Sequence, residues 1–174
     1  MIRAALVALC LAAPAALPAA AQGTADPIVR FEAGDPEMAA AIAAARKTLP
    51  AFLAATLDAE GYGPDDGYLK VAFPVQHPEM ETENIWVGPF RRFPDGVFVG
   101  LLANDPHAMP GLRDGDRVEF DQAMIVDWNL AAGGGKVWGD YTTRVVVGRL
   151  PEDQAAPLRA RFSDPPVPSD WPAP

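Results

Sequence analysis

Cysteine and histidine are almost missing from this chain. One cysteine, Cys10, and two histidines, His77 and His107, occur in 174 residues. Cys10 sits in an apolar stretch near the N-terminus, so the sequence after that stretch has no thiol for a disulfide, a nucleophile or a metal site. Positive charge is also scarce: 14 Lys and Arg stand against 23 Asp and Glu, for a net charge of -9. Nucleic acid and anionic membrane surfaces both call for a basic footprint, so neither is expected as a partner. Beyond the N-terminus the sequence shows no second apolar segment long enough to cross a membrane. It has no ligand spacing for zinc or calcium, and Gly133-Gly134-Gly135-Lys136 runs into Val137 and Trp138 rather than a phosphate-binding helix. No metal and no cofactor are expected.

What is present begins with Met1 to Ala21. Arg3 supplies a positive start, Ala4 to Ala13 an uncharged apolar run, and Ala19-Ala20-Ala21 the small residues of a cleavage site. The pattern is that of a secretory signal peptide cut before Gln22. The run is too short, and too close to Pro14 and Pro18, for a membrane anchor. A periplasmic or secreted protein with no membrane attachment after cleavage is the expectation. The remaining ~150 residues suffice for one domain that buries about 70% of its unfolded surface.

Residues 22–34 read as a polar lead-in and 35–162 as a single domain. Asp35-Pro36-Glu37 is a helix start: an N-cap, a proline suited to the first turn, and an acid at the positive end of the dipole. Met38, Ile42, Ala45, Leu49, Phe52 and Leu57 then fall on one helical face, with Pro50 predicting a kink or two abutting helices. Alternation predicts strands over 68–75, 84–91, 97–103, 117–120 and 124–131, with 136–138 after the Gly133–Gly135 turn. The stretch 97–103 is apolar on both sides and reads as a central strand. Thr142 to Leu150 is rich in β-branched residues, which favours a strand. Pro151 to Phe162 reads as a helix. Five of the last ten residues are proline, so 163–174 reads as an extended tail with little to pack. The class is α+β: an N-terminal helix on a curved, mainly antiparallel sheet of about five to six strands, with a C-terminal helix.

No residues are assigned as catalytic. Asp105 and His107, at the end of an apolar strand, could form an acid–base pair, but Asn and Asp before proline also simply make turns. Glu79, Glu81 and Glu83 beside His77 read as a solvated acidic loop. The group with most promise is Trp86, Asn104, Asp127, Trp128, Tyr141, Thr142 and Arg144. Aromatic rings beside a carboxylate and a guanidinium can build a recognition surface for a protein or small ligand, and they can equally be a structural tie between sheet and helix. A non-catalytic binding module is the favoured function, and a periplasmic hydrolase using Asp and His is the alternative.

Several stretches resemble the YegJ-like family of bacterial proteins (domain of unknown function 2314). They are Pro36-Glu37-Met38 through Phe52, Asn84-Ile85-Trp86-Val87, Gly100 to Pro106, Gly115 to Phe120, Val126-Asp127-Trp128 and Gly139-Asp140-Tyr141-Thr142-Thr143-Arg144-Val145. The resemblance implies a compact α+β domain and no particular activity. It also implies a helix after Thr142, with Thr142 as its N-cap.

Overall fold

Asp35 caps the first helix. Its carboxylate accepts the N–H groups of Glu37 and Met38 at 3.0 and 2.9 Å, two of the donors that a helix start leaves unpaired. The computed structural model describes residues 34–171; the expected signal peptide and nearly all of the expected lead-in lie outside them. Helix α1 spans Pro36–Thr56 as one element, continuous through Pro50 rather than broken into two. Ala45, Leu49, Phe52 and Leu53 form its buried stripe. By length and composition α1 is apolar enough to cross a membrane, which corrects the reading of apolar runs. Many of its apolar residues are alanines, and its buried stripe packs on the sheet.

The strands are β1 (Gly67–His77), β2 (Met80–Arg92), β3 (Phe98–Leu102), β4 (Arg117–Phe120), β5 (Ile125–Ala131) and β6 (Val137–Gly139). They form one antiparallel sheet in the order β4-β3-β2-β1-β5-β6. Successive residues point to opposite faces, and burial follows that alternation. Leu69, Val71, Ile85, Val87, Phe98, Leu102, Val118, Phe120 and Trp128 face α1 and make the core. Tyr68, Lys70, Trp86, Val99, Leu101 and Arg117 occupy the alternate positions and are half-buried or exposed. Strand β3 therefore is not central: it lies second from an edge, and among the described residues no helix lies over its apolar outer residues Val99 and Leu101. A bulge in β2 at Gly88-Pro89 shifts its register against β3, which bends the strand locally.

The segment after β6 departs from the strand that its own residues favour and follows the helix that the family resemblance implies. Tyr141–Gly148 is helix α2, not a strand, and Glu152–Arg159 is helix α3. The β-branched residues Val145 to Val147 have modest strand preference, and the anchor described below overrides it. The tail also packs. Val137 N–H donates to Arg161 O at 2.8 Å, Ser163 N–H to Val137 O at 2.9 Å, and Gly139 N–H to Pro166 O at 2.7 Å. Residues 161–166 thus cover the β6 edge as a strap, and Trp171 returns to the core, its ring centroid 5.7 Å from Trp128 and 6.1 Å from Phe52. A proline-rich segment needs few backbone partners of its own, so it can run as a strap held by a neighbouring strand and one aromatic anchor.

Candidate functional site

Strand β5 carries the centre of the candidate group. Trp128 points into the core and is fully buried. It stacks on Phe52 at 4.7 Å and meets Tyr141 edge-on at 6.1 Å. Its indole N–H donates to Thr48 Oγ1 at 3.0 Å, and Thr48 Oγ1 also lies 3.0 Å from Tyr141 Oη. That pairing satisfies the polar atoms of both rings as they leave water.

Asp127, one residue earlier, faces the other way and is also fully buried. Its Oδ1 accepts Trp128 N–H at 2.8 Å and Tyr141 N–H at 3.2 Å. Its Oδ2 accepts Thr142 N–H at 2.7 Å and Thr142 Oγ1–H at 2.6 Å. Asp127 therefore caps α2 from a neighbouring strand. The residue at the N-cap position is Asp140 rather than Thr142, and its side chain makes no cap bond. Asp140 holds φ +58°, a left-handed backbone that aspartate tolerates better than most residues. Its Oδ1 is buried with no partner among the described residues. Gly139, at φ +68°, is obligatory for a plainer reason: a Cβ there would lie 2.3 Å from Trp128 O.

Lys70 completes the cluster. It pairs with Asp127 across β1 and β5. Its Nζ donates to Thr142 Oγ1 at 2.7 Å and stands 4.4 Å from the centre of the Trp86 ring. A chain of hydrogen bonds thus runs from the Lys70 ammonium through the Thr142 hydroxyl to the Asp127 carboxylate. Burial holds the Lys70 ammonium below its ordinary range, and Asp127 and then Asp140 pull it back up. Burial pushes the Asp127 carboxyl up, against the pull of Lys70 and of the Thr142 hydrogen bonds. Each shift is the cost of desolvating a charge, partly offset by its neighbour.

Of the seven residues singled out from sequence, Asp127, Trp128, Tyr141 and Thr142 are brought together, but inside the protein. They frame the sheet edge instead of forming its surface. Arg144 is half-buried and does not pair with Asp127. It donates to Gly139 O at 2.8 Å and Ser163 O at 3.0 Å and lies 4.6 Å from the Phe162 ring centre, fastening the strap. Trp86 is half-buried on the outer face, and its backbone N–H donates to Asn104 Oδ1 at 3.3 Å. Asp105 and His107 make no hydrogen bond to each other: Asp105 Oδ1 accepts Asp114 N–H at 2.9 Å, and His107 N–H goes to Glu83 Oε1 at 2.5 Å. Glu83 also accepts Ala108 N–H at 2.7 Å, so it ties the 103–108 loop to β2. Among the described residues no group of three or more His, Cys, Asp or Glu could hold a metal ion.

Sequence reasoning missed Lys70, because one cation on an alternating strand looks like any solvent-facing position. It also missed the outer-face set Tyr62, Arg91 and Leu101. The signal for that set was present in β3, where apolar residues on both sides were read as two-sided burial.

Fold and site together define a single-sheet α+β domain. Its one face is closed by a helix and an aromatic core, its edge is locked by a strand-borne capping carboxylate, and its other face carries, among the described residues, only the start of α2 over Asp127 and Lys70. The chain belongs to the family described as uncharacterized protein conserved in bacteria (DUF2314), whose profile matches residues 35–161. It is similar to the uncharacterized protein YegJ of Escherichia coli (strain K12), with 29% identity over 81 residues, or 47% of this chain and 52% of that protein. The chain thus matches about half the length of this curated relative. No solved structure matches it.

Proposed function

We propose that this is an exported, non-catalytic binding module whose recognition surface is the outer face of the sheet. The observation that carries the reading is the state of that face. Among the described residues no helix lies over Trp86, Tyr68, Val99 and Leu101, and Lys70 is held against the Trp86 ring. An apolar and aromatic face left open on a domain whose other face is fully packed is a frequent mark of an interaction site. The carboxylates that acid–base chemistry would use are already committed to backbone donors: Asp127 to Tyr141 and Thr142, Asp105 to Asp114, and Glu83 to His107 and Ala108. Thr142, beside Lys70, is buried and out of reach of a substrate. These commitments favour binding over the hydrolase.

A photo-crosslinking residue at Ala72, on the outer face beside Lys70, tests the surface in the native host. A discrete adduct is expected, absent when Trp86 is also changed to Ala and absent when the crosslinker sits instead at the exposed Ala43 of α1. Equal adducts from both positions would remove the outer face as the recognition surface. Export is checked separately by N-terminal sequencing of the protein from the periplasmic fraction, with Gln22 expected as the first residue.

A further inference from the structure

At the far end of the outer face from Lys70, a shallow groove of about 260 Å³ lies beside the β2 bulge. Tyr62, Pro89, Phe93, Val99 and Leu101 give it an apolar lining, and Arg91 and Arg117 give it charge. Tyr62 is 50% exposed and Leu101 36%, which places both among the exposed large apolar side chains of the protein.

Two features set the chemistry of an occupant. The first is charge. The protein carries a net -9, yet among the described residues two guanidinium groups and no carboxylate line this groove, with Glu119 at its rim against Arg117. The second is preorganisation. Arg91 lies 4.6 Å from the ring centres of both Tyr62 and Phe93. Its Nε donates to Glu60 O at 3.0 Å and one terminal nitrogen to Tyr62 Oη at 3.4 Å. The other terminal nitrogen, Nη2, makes no hydrogen bond to the described residues. A guanidinium fixed between two rings, with donors to spare, meets a carboxylate at low entropic cost. Arg117 pairs with Glu119 at 2.7 Å, with both side chains about 60% exposed; a pair so open to water is worth little and yields to a better partner.

We propose that this groove docks a segment of another protein that is both apolar and acidic, its apolar side chains on Val99, Leu101 and Pro89 and its carboxylates on Arg91 and Arg117. The proposal rests on the outer face being the recognition surface and names what that surface takes. The volume is below that of typical small-molecule pockets, roughly 300 Å³ and upward, and suits a few side chains. A second copy fits poorly, because pairing across a two-fold axis sets the same patch on itself and would bring Arg91 and Arg117 towards their own counterparts.

The test is fluorescence anisotropy of the purified protein with three labelled peptides: one alternating Leu or Phe with Glu, one with Lys in place of Glu, and one with Ser in place of the apolar residues. The acidic–apolar peptide is expected to bind, more weakly at high salt, with affinity falling at least about tenfold for Arg91→Ala and for Leu101→Asp. Leu101 is exposed and Arg91 half-buried, and circular dichroism checks that each variant folds. Equal binding of the Lys peptide overturns the charge argument. Peptide binding that survives both changes but is lost with Trp86→Ala overturns the groove while leaving the outer face as the binding surface. No binding of any peptide by the folded protein overturns the proposal, whereas the crosslinking at Ala72 would still decide the outer face. A concentration-dependent dimer lost with Leu101→Asp, or peptide binding that arises only after deletion of residues 22–33, would assign the groove to the chain itself and overturn the partner named here.

Discussion

Asp127 shows how one side chain can matter to a fold without being chemically active. Its two oxygens accept four hydrogen bonds, from Trp128, from Tyr141 and twice from Thr142. Asp127→Asn turns one acceptor into a donor facing Thr142 N–H, and a buried donor left unpaired costs about 1–3 kcal/mol. Urea unfolding should record a loss on the order of 3 kcal/mol, because more than one donor is affected. Asp140→Asn should do the opposite. Asn tolerates the left-handed backbone, and the change removes a charge from a carboxylate with an unpartnered buried oxygen, so the melting temperature is expected to hold or rise. Asp35 contributes a pH dependence. The Met38 N–H and then Arg149 hold its carboxyl below the usual carboxylate range. A carboxylate with a lowered folded value stabilises the fold above the unfolded value, and that contribution disappears as the pH falls through the folded one. Asp35→Asn keeps the cap but not the charge. Its unfolding midpoint should therefore fall less steeply than that of the parent below about pH 4.

Local signals gave α1 and the strands their places. The start at Asp35-Pro36-Glu37 and the alternation in β1 through β5 are written in adjacent residues, and the structure follows them to within a few positions. Helix α2 is different. Its capping carboxylate comes from Asp127, 14 and 15 residues before Tyr141 and Thr142, and nothing within the 141–148 stretch itself announces it. A run of Val145, Val146 and Val147 is then read by its own preference and becomes a strand on paper. The same blindness hid Lys70 and placed Trp128 and Thr142 on a surface, since partners far apart in sequence decide which way a residue faces. Gly139 is the joint between β6 and α2. Gly139→Ala would drive a Cβ into the Trp128 carbonyl, and with Trp128 in the core there is no room to yield. Loss of cooperative unfolding and of soluble expression is the expected result, against a folded Gly134→Ala control, where a Cβ meets nothing within 4 Å.

At the scale of the whole molecule, the C-terminal strap and α1 meet around one aromatic cluster. Phe52, Trp128, Tyr141 and Trp171 lie in a continuous series of ring contacts. Removing a large, partly buried side chain from such a cluster costs on the order of 2 kcal/mol. Trp171→Ala should lower stability by about that amount and loosen the strap, seen as faster amide exchange at Val137 and Gly139, whose N–H groups donate to Arg161 and Pro166. The strap also leaves β4 as the uncovered edge among the described residues. That edge carries Arg117 and Glu119 on a four-residue strand, a combination that discourages pairing with other chains.

The carboxylate that caps α2 from β5 has a consequence in time as well as in space. A β-branched segment with modest helix preference gains its cap only when β5 is in place to offer Asp127, and β5 is held by pairing with β1, more than fifty residues earlier in the chain. Helix α2 should therefore form after the transition state for folding. Shortening Val147 to Ala would speed unfolding while leaving the folding rate almost unchanged, and the half-life of the folded protein would then be set by its sheet edge more than by its core.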